Sequence, residues 1–381
     1  MDITVRPGKL SGTVAAIPSK SHAHRLLICA ALGKKPCNLL CPQTNRDIEA
    51  TAACLNALGA KITATENGYH IQPISQPVDN STLFCGESGS TLRFLLPVVG
   101  ALGVSATFVT EGRLSQRPLS PLWEEMERMG CKLCWQEKDR LTVTGKLQAG
   151  SYRIDGGVSS QFVSGLLFAH AILSDCGLEV TGKLESKPYV DMTEDVISLF
   201  HGGDAPDTIT VEGDWSNAAF WLAAKVLGND LTVTGLSESS SQGDRMILDI
   251  LSQLKDENPT IDASDIPDLV PILSVCAASL HGATFTGVRR LRLKESDRIA
   301  SIIALLTALG GNAKAAEDTL TIFPAKLSGG TVDACNDHRI AMAAAIASTV
   351  GAEPVTILGA QCVSKSYPAF WEEFSRLGGK I

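Results

Sequence analysis

The sequence predicts an α/β protein of two domains, built from six repeated units. Its 381 residues exceed one ordinary core and suit two domains. One pattern occurs six times: a helical segment ends in two apolar residues three positions apart, usually followed by glycine. In several copies the next segment alternates apolar and polar residues around a turn signal, as a β-hairpin does.

The position after the second apolar residue is 59, 130, 201, 255, 310 and 378 in the six copies. Glycine there fits a helix end, because glycine adopts the left-handed conformation at low cost. Most copies are roughly 70 residues apart, but two intervals are shorter by about 15 residues. In those two copies His201 and Lys255 replace the glycine. We therefore expect two trimmed units that lack the hairpin after the helix, around residues 202–207 and 255–261.

Composition excludes several classes of function. The net charge of −8 argues against general nucleic-acid binding, which needs a broad basic face. The longest apolar run, residues 94–104, is too short to span a bilayer. The first residues do not resemble a signal peptide, and the eleven cysteines show no metal-site spacing. We expect reduced thiols and a cytoplasmic location.

The segment PSKSHAHR, residues 18–25, gathers cations where a helix begins. Pro18 and Ser19 favour helix entry, and backbone N–H groups at a helix start attract anions. Lys20 and Arg25 add donors there, so the segment predicts an anionic ligand, although a capped helix with solvated cations is the alternative. His22 is expected to be a packing or solvated residue, as is His24.

Similar polar or charged turns precede helices elsewhere in the chain. Their prominent residues are Gly89, Ser90, Arg93, Arg113, Arg117, Ser159, Ser160, Gln161, Ser186, Lys187, Tyr189, Asp268, Lys294, Glu295, Arg298, Asp337, His338, Arg339 and Lys365. RRLRLK, residues 289–294, alternates like a strand before the helix that ESDR opens. Each turn alone is compatible with an ordinary helix cap. Together they predict helix starts from two domains that converge on an anion-filled cleft.

Nine motifs in order, PSKSxxxR, SGSTxxR, RP, SSQ, SKPY, IPD, KESDR, NDHR and KSYP, resemble those of the EPSP synthase family of enolpyruvyl transferases. The resemblance covers essentially the whole chain. It implies a two-domain inside-out α/β barrel, with three βαβαββ units around a pseudo-threefold axis in each domain, two of the six being trimmed here. It implies a discontinuous phosphoenolpyruvate-side domain of residues 1–18 and 241–381, and an inserted shikimate 3-phosphate-side domain of residues 19–240.

The resemblance also implies an activity in the shikimate pathway of aromatic amino acid biosynthesis. The enolpyruvyl group of phosphoenolpyruvate passes to the 5-hydroxyl of shikimate 3-phosphate, which gives 5-enolpyruvylshikimate 3-phosphate and phosphate. Neither a metal nor an organic cofactor is implied. The expected partners are the two small-molecule substrates, with no nucleic acid and no membrane, and the expected state is a monomer.

The matched motifs imply two sets of binding residues. Shikimate 3-phosphate would be held by Lys20, Ser21, Arg25, Ser159, Ser160, Gln161, Ser186, Asp268, Arg290 and Lys294. Phosphoenolpyruvate would be held by Lys20, Gly89, Arg117, Gln161, Arg298, Arg339 and Lys365. Arginine forks suit carboxylate and phosphate groups, and both substrates are multiply anionic.

The implied mechanism is addition followed by elimination. Asp268 would take the proton of the 5-hydroxyl, and Glu295 would protonate the methylene of phosphoenolpyruvate with help from Lys20. The surrounding cations would stabilise the tetrahedral intermediate before phosphate leaves.

The chain departs from the family pattern at three points. Glu87 stands where the family usually has asparagine, and a carboxylate there would repel an anion unless Arg93 or Arg117 pairs with it. Arg290 stands at a position that in the family often supplies a neutral contact to the shikimate ligand. The two trimmed units remove outer strands. Gly89 predicts room for glyphosate, a phosphoenolpyruvate mimic.

Two other functions remain open from the sequence. The related transferase that acts on UDP-N-acetylglucosamine usually has Lys-Asn in place of Lys20-Ser21, and a cysteine in the loop that here reads EGRLSQRPL. The other alternative is a non-catalytic relative that binds an anionic metabolite or packs against a partner. Glu87 and the trimmed units favour that second alternative, whereas the retained charged motifs oppose it.

Overall fold

The computed structural model describes residues 1–200 and 205–381 and shows a mixed α/β fold. The helices are α1 (Lys20–Ala31), α2 (Arg46–Ala57), α3 (Gly89–Leu102), α4 (Leu122–Arg128), α5 (Ser160–Ile172), α6 (Lys187–Phe200), α7 (Trp215–Val226), α8 (Ile247–Gln253), α9 (Val270–Ser279), α10 (Arg298–Ala308), α11 (His338–Ala347) and α12 (Phe370–Arg376).

The strands are short, three to seven residues each. They are β1 (Ile3–Val5), β2 (Ser11–Ala15), β3 (Cys37–Leu40), β4 (Lys61–Thr65), β5 (Gly68–Gln72), β6 (Ser81–Gly86), β7 (Ala106–Thr110), β8 (Cys131–Glu137), β9 (Arg140–Gly145), β10 (Ser151–Asp155), β11 (Gly177–Thr181), β12 (Thr208–Thr210), β13 (Asp230–Thr234), β14 (Thr260–Asp262), β15 (Ala283–Thr286), β16 (Asn312–Ala315), β17 (Thr319–Phe323), β18 (Gly330–Asp333) and β19 (Val355–Leu358).

The chain divides into two compact units. The inserted unit is residues 18–212, and the discontinuous unit is residues 1–17 together with 213–381. Each unit has its own hydrophobic core. In the inserted unit α1, α3 and α5 are buried over most of their length, and in the discontinuous unit α7, α9 and α11 are.

The second boundary differs from the one expected near residue 240. Residues 213–240 belong to the discontinuous unit, because β13 pairs in parallel with β2 from Asp230↔Ser11 to Thr234↔Ala15. Trp215, Phe220 and Trp221 of α7 also lie in the core of that unit. This long-range pairing decides where the chain passes from the inserted unit to the discontinuous unit. No local sequence pattern indicates that position.

Within the described residues, five helices end where the repeat predicted, namely α2, α4, α8, α10 and α12. The glycines that follow α2, α4, α10 and α12 all have positive φ, namely 109°, 108°, 81° and 98° at Gly59, Gly130, Gly310 and Gly378. Only glycine takes this conformation without strain, so the local signal was sufficient. Position 201, the copy that ends α6, lies outside the described residues.

Six sheets follow these repeats, three in each unit. The sheets β12-β3-β5-β4, β6-β7-β9-β8 and β14-β15-β17-β16 have four strands and contain the predicted hairpins. In the sheet β1-β19-β18, β1 pairs with β19, and Arg6 forms a bridge to Lys380. The sheets β10-β11 and β13-β2 have two strands each. Among the described residues no hairpin separates α8 from β14, which coincides with the shortening predicted at residues 255–261.

Two further expectations can be compared with the structure. Residues 289–294 were expected to form a strand, but Arg289–Leu293 form a short 3-10 helix. Strand β15 ends just before it, at a turn in which Gly287 has a φ of 69°.

The eleven cysteines all lie in the described ranges, and none of them forms a disulfide. Among the described residues, the longest apolar helices fall short of what a membrane crossing needs.

Candidate functional site

The predicted helix starts of the inserted unit are confirmed. Helix α1 begins at Lys20 behind Ser19, α3 at Gly89 behind Ser88, and α5 at Ser160 behind Ser159. Each preceding serine accepts a hydrogen bond from a backbone N–H in the first turn. Backbone N–H groups at a helix start attract anions, and the anion site expected at these segments stays a prediction.

Lys20 is paired with Asp47, a carboxylate that no sequence motif singles out. Its Nζ lies 3.0 Å from Asp47 Oδ2, and the exposed fraction of both side chains is 17%. Asp47 lies in the first turn of α2, where an acidic residue favours the helix dipole. An aspartate in a first helical turn is common, so the sequence gives no sign that Asp47 pairs with Lys20.

The start of α3 is bonded to the start of α5. Arg93 donates from Nη1 to Gln161 Oε1 at 2.7 Å and from Nη2 to the Pro118 carbonyl at 3.1 Å. Gln161 Nε2 in turn donates to Ser90 Oγ at 2.9 Å. The Arg93 guanidinium also lies 5.4 Å from the centre of the Phe162 ring. Arg93 and Ser90 thus fix the orientation of Gln161, a residue predicted for both substrates.

Gly89 contacts Arg117. A Cβ atom built on Gly89 would lie 2.8 Å from Arg117 Nη1, so the absence of a side chain leaves room for this guanidinium. Glu87 lies beside Gly112, since a Cβ at Gly112 would be 2.8 Å from the Glu87 carboxyl group. The loop of Arg117 and the turn before α3 therefore pack closely.

Arg25 is bonded to internal acceptors. It is 2% exposed, and three of its nitrogens donate at 2.7 Å to Thr193 Oγ1, the Ser21 carbonyl and the Tyr189 carbonyl. Burial lowers the pKa of Arg25 to about 10. In this arrangement Arg25 holds α1 against α6. Thr193 was not foreseen, because it is 168 residues away in the chain.

The two histidines of α1 pack inside the unit, as expected. His22 Nδ1 accepts a hydrogen bond from the Glu212 N–H at 3.3 Å, and burial followed by the charge of Arg25 lowers the pKa of His22 to about 4. His24 is fully buried with its Nδ1 2.7 Å from Thr51 Oγ1. Burial lowers the pKa of His24 well below its usual range, so both imidazoles are neutral at pH 7.

The remaining predicted residues of this unit lie at the start of α6. Ser186 is buried and has a φ of 57°, an uncommon conformation for a residue other than glycine. It immediately precedes Lys187, whose Nζ lies 2.6 Å from Asp191 Oδ1 in an exposed ion pair.

In the discontinuous unit, Arg298 is the centre of a buried ionic cluster. Its side chain is 1% exposed. Nε donates to Asp337 Oδ2 at 2.8 Å, Nη1 to Asp268 Oδ1 at 2.6 Å, and Nη2 to Glu295 Oε2 at 2.7 Å. Burial opposes the charge, but the three carboxylates outweigh it and raise the pKa of Arg298. A single guanidinium thus joins the two carboxylates that were predicted to be catalytic.

Asp268 is surrounded by cations. Besides Arg298, it accepts from Arg339 Nη2 at 3.0 Å, and Lys294 Nζ lies 3.7 Å from its Oδ1. Burial opposes ionisation, but Arg339, Lys294 and Arg298 together hold the pKa of Asp268 well below its usual range. A carboxylate in this environment is a weak base. The proton-accepting role expected for Asp268 stays a prediction.

Lys294 lies next to this carboxylate, and Arg290 lies near Lys294. Lys294 is 23% exposed, and burial lowers its pKa to about 8, against the opposing effect of Asp268. Arg290 is 7% exposed and donates from Nη2 to the Ser264 carbonyl at 3.0 Å. Arg290 is thus anchored to the backbone, with its positive charge lowering the pKa of Lys294.

Asp337 is bonded to the Arg298 side chain and to the Arg339 backbone. It is fully buried and caps α11, with Oδ1 accepting from the Arg339 N–H at 3.0 Å. Its Oδ2 accepts from Arg298 and from Ser296 Oγ, the latter at 3.0 Å. The sequence placed Asp337 in a motif but gave it no role, since an aspartate before a helix is an ordinary cap. Lys365 donates to the Asn336 carbonyl at 2.9 Å, close to the same turn in the chain.

In the inserted unit, the starts of α1, α3 and α5 provide amides and cationic donors, which can bind carboxylate and phosphate groups. In the discontinuous unit, the cluster around Arg298 provides two partly exposed carboxylates and a lysine of lowered pKa, which can transfer protons. Among residues 1–200 and 205–381, no three His, Cys, Asp or Glu side chains are grouped so as to hold a metal ion.

Comparison with known proteins gives consistent matches over the whole chain. The family model described as EPSP synthase (3-phosphoshikimate 1-carboxyvinyltransferase) matches residues 5–374. The chain is 41% identical to the 3-phosphoshikimate 1-carboxyvinyltransferase of Clostridium kluyveri, with 100% of this chain and 98% of the relative covered. It is 39% identical to that of Clostridium acetobutylicum, with the same coverage. The first alignment spans 418 positions against 381 residues here, so the relative contains residues that have no counterpart in this chain.

Solved structures agree on the fold. An EPSP synthase of Acinetobacter baumannii superposes with a TM-score of 0.78 at 22% identity, covering 99% of this chain and 98% of the other. The enolpyruvyl transferase NikO of Streptomyces tendae superposes with a TM-score of 0.75 at 17% identity, covering 99% of this chain and 97% of the other.

Proposed function

Because this chain belongs to the EPSP synthase family, whose members transfer the enolpyruvyl group of phosphoenolpyruvate to shikimate 3-phosphate, we propose that the two clusters described above bind these substrates. The chain is a transferase of the shikimate pathway. The observation that carries the site assignment is the contact of Arg298 with both Asp268 and Glu295, at 2.6 and 2.7 Å.

The fold proposed for this reaction is the two-domain inside-out barrel. Three sheets and three buried helices in each unit support three βαβαββ repeats per domain. The two-stranded sheets, one in each unit, support trimming of one repeat in each.

We propose further that the protein acts as a cytoplasmic monomer without a nucleic-acid partner. Its acidic net charge of −8 supports the absence of a nucleic-acid partner.

Shikimate 3-phosphate is assigned to hydroxyls, amides and cations of both units. They are Lys20, Ser21, Arg25, Ser159, Ser160, Gln161, Ser186, Asp268, Arg290 and Lys294. The starts of α1 and α5 supply donors for the phosphate. Arg25 and Arg290 already donate to backbone carbonyls. They therefore favour the bound shikimate 3-phosphate mainly through their charge and by positioning neighbouring residues.

Phosphoenolpyruvate is assigned to residues that offer cations around a small-residue turn. They are Lys20, Gly89, Arg117, Gln161, Arg298, Arg339 and Lys365. Gly89 leaves room for Arg117, Asp337 orients Arg298, and Asp268 accepts from the Arg339 guanidinium. Arginine forks match the carboxylate and the phosphate of this substrate.

The chemistry proceeds by addition and elimination. Asp268 takes the hydroxyl proton as the hydroxyl oxygen forms a bond to C2 of phosphoenolpyruvate and C3 gains a proton. The C2–O bond to phosphate then breaks as C3 loses a proton, and the proton on Asp268 leaves with phosphate. Glu295 is the proposed donor and acceptor of the C3 proton, with Lys20 assisting. Arg298, Arg339 and Lys365 stabilise the charge of the tetrahedral intermediate.

Phosphate release tests this proposal. The purified protein should release phosphate only when phosphoenolpyruvate and shikimate 3-phosphate are present together. Glu295→Gln should lower kcat by at least about a hundredfold with an unchanged melting temperature. Release of phosphate from phosphoenolpyruvate alone, or wild-type turnover by Glu295→Gln, would refute the site assignment.

A further inference from the structure

Four buried side chains of the inserted unit form a continuous series of hydrogen bonds, the hydroxyl network. His24 Nδ1 lies 2.7 Å from Thr51 Oγ1, which lies 2.7 Å from Thr91 Oγ1. Thr91 Oγ1 in turn lies 2.7 Å from Ser88 Oγ. None of the four residues is more than 1% exposed. Because water cannot reach these groups to replace a lost partner, removing one member leaves its neighbour unsatisfied.

The hydroxyl network joins the starts of three helices. On α1 its histidine lies one turn after Lys20, and on α2 its first threonine lies one turn after Asp47, the partner of Lys20. On α3 the network ends at Ser88, the cap that directly precedes Gly89. Thr91 Oγ1 also lies 3.5 Å from the Asp47 carbonyl. The network therefore connects Lys20 and Gly89, two residues proposed for phosphoenolpyruvate, through the protein interior.

One nitrogen of His24 decides the direction of these bonds. Among the described residues the buried Nε2 has no hydrogen-bond partner. A buried N–H without an acceptor is rare, so the proton of this neutral imidazole belongs on Nδ1. His24 then donates to Thr51, Thr51 to Thr91, and Thr91 to Ser88. Each threonine hydroxyl gives its single proton to the next oxygen, and Ser88 Oγ also accepts from the Thr91 N–H at 3.2 Å.

We infer that Thr51 and Thr91 are positioning residues for phosphoenolpyruvate, an inference that rests on the proposed site. Both are fully buried, so neither touches the substrate. They instead tie the turn at Gly89, where the network ends, to the helix that begins at Lys20. Bonds of one fixed direction hold the three helix starts in one arrangement, which sets the spacing of two groups assigned to the same substrate.

Thr51→Val and Thr51→Ser are the first test. Valine has nearly the shape of threonine but no hydroxyl, so it interrupts the network at its centre. We expect kcat/KM for phosphoenolpyruvate to fall by about five- to fiftyfold. Serine keeps the hydroxyl but loses a buried methyl group, so it should lower the melting temperature while kcat/KM stays within about twofold of wild type. Equal kinetic losses in the two variants, or wild-type kcat/KM in Thr51→Val, would overturn the inference.

Thr349→Val is the matched control, in the discontinuous unit. Thr349 is 4% exposed, donates to the Ile346 carbonyl at 2.8 Å and accepts from Asn229 Nδ2 at 3.0 Å. This variant removes the same hydroxyl from a similarly buried position and should lower the melting temperature. The value of kcat/KM for phosphoenolpyruvate should stay within about twofold of wild type. A loss as large as that of Thr51→Val would show that the kinetic effect follows instability alone, and would overturn the inference.

The tautomer of His24 is a readout that does not depend on turnover. In protein labelled with ¹⁵N-histidine, the resonances altered by Thr51→Val but not by Thr349→Val belong to His24. We expect a protonated Nδ1 and an unprotonated Nε2 in the wild type and in Thr51→Ser. In Thr51→Val the Nδ1 proton has lost its acceptor and should exchange with solvent faster. A wild-type protein with the proton on Nε2 would overturn the inference.

Phosphate release by the wild type is measured before these variants are compared. Its absence would refute the proposed site as a whole. The tautomer and the melting temperatures are read without turnover, so they test the hydroxyl network separately from the reaction.

Discussion

Gly89 and Arg117 are in direct contact: a Cβ atom at position 89 would lie 2.8 Å from Arg117 Nη1 and 3.3 Å from its Cζ. Gly89 starts α3, and its φ is not positive, so the glycine is required by space and not by backbone conformation. The atoms that a side chain would meet belong to the far end of a flexible arginine. A substitution here moves a proposed substrate ligand without disturbing the core.

Gly89→Ala should therefore weaken phosphoenolpyruvate binding at little cost in stability. We expect KM for phosphoenolpyruvate to rise by about three- to thirtyfold, equivalent to roughly 1–2 kcal/mol. The melting temperature should change by less than about 2 °C. Steady-state kinetics and calorimetry check this, and inhibition of the wild type by millimolar glyphosate should weaken in the variant. An unchanged KM would show that Arg117 does not hold this substrate.

Glu87→Gln tests the unusual carboxylate beside this turn. Removing its negative charge should lower KM for phosphoenolpyruvate by about two- to fivefold at low ionic strength, because an anion no longer meets a like charge. The effect should shrink in 0.5 M salt through screening. Glu124→Gln, at an exposed position of α4, is the control for a general change in net charge. A rise in KM would instead mean that Glu87 orients a cation.

Asp337→Asn should destabilise the discontinuous unit. The buried Arg298 would lose its only fully buried counter-charge, and an amide N–H would face its Nε. We expect a loss of about 3–5 kcal/mol in the free energy of unfolding, measured in urea. Asp297→Asn is the matched control, since Asp297 caps α10 at a largely exposed position and asparagine caps equally well. That control should cost less than about 1 kcal/mol, and equal losses in both variants would contradict the argument.

His22 should lower the free energy of unfolding as the pH falls. Its folded pKa is about 4 and its unfolded pKa about 6.5, so between these values the unfolded chain binds a proton that the folded chain does not. The free energy of unfolding must therefore decrease as pH falls from 6.5 to 4, by on the order of 3 kcal/mol from this residue. His22→Gln should flatten the slope, whereas His281→Gln, at an exposed position, should leave it unchanged. Parallel curves for His22→Gln and wild type would contradict this.

The features that the sequence predicts well are those decided by neighbouring residues. A glycine after an apolar pair ends a helix because of its own backbone freedom, and Gly59 and Gly130 do so with positive φ. The serines before α1, α3 and α5 cap those helices for an equally local reason. Hairpins such as β4–β5 follow from alternation around a short turn.

The features that the sequence misses depend on residues far apart in the chain. The crossing at residue 213 is decided by the pairing of β13 with β2, more than 200 residues away. Apolar and charged residues alternate over residues 289–294, as in a strand. The segment nevertheless belongs to no sheet and forms a short 3-10 helix. Asp47, the partner of Lys20, lies in a first helical turn, and Asp337, the partner of Arg298, caps a helix, so ordinary helix preferences already explain both residues.

The pairing of β1 with β19 and of Arg6 with Lys380 has a consequence for biosynthesis. Residues 18–212 form a contiguous unit that can fold as soon as it has left the ribosome. The first seventeen residues emerge earlier, yet their strands β1 and β2 find their partners only after β13 and β19 are translated. At roughly 5–20 residues per second, they remain unpaired for about ten seconds or more. During that interval a nascent chain exposes two strand edges, and a chaperone that shields extended segments would act there first.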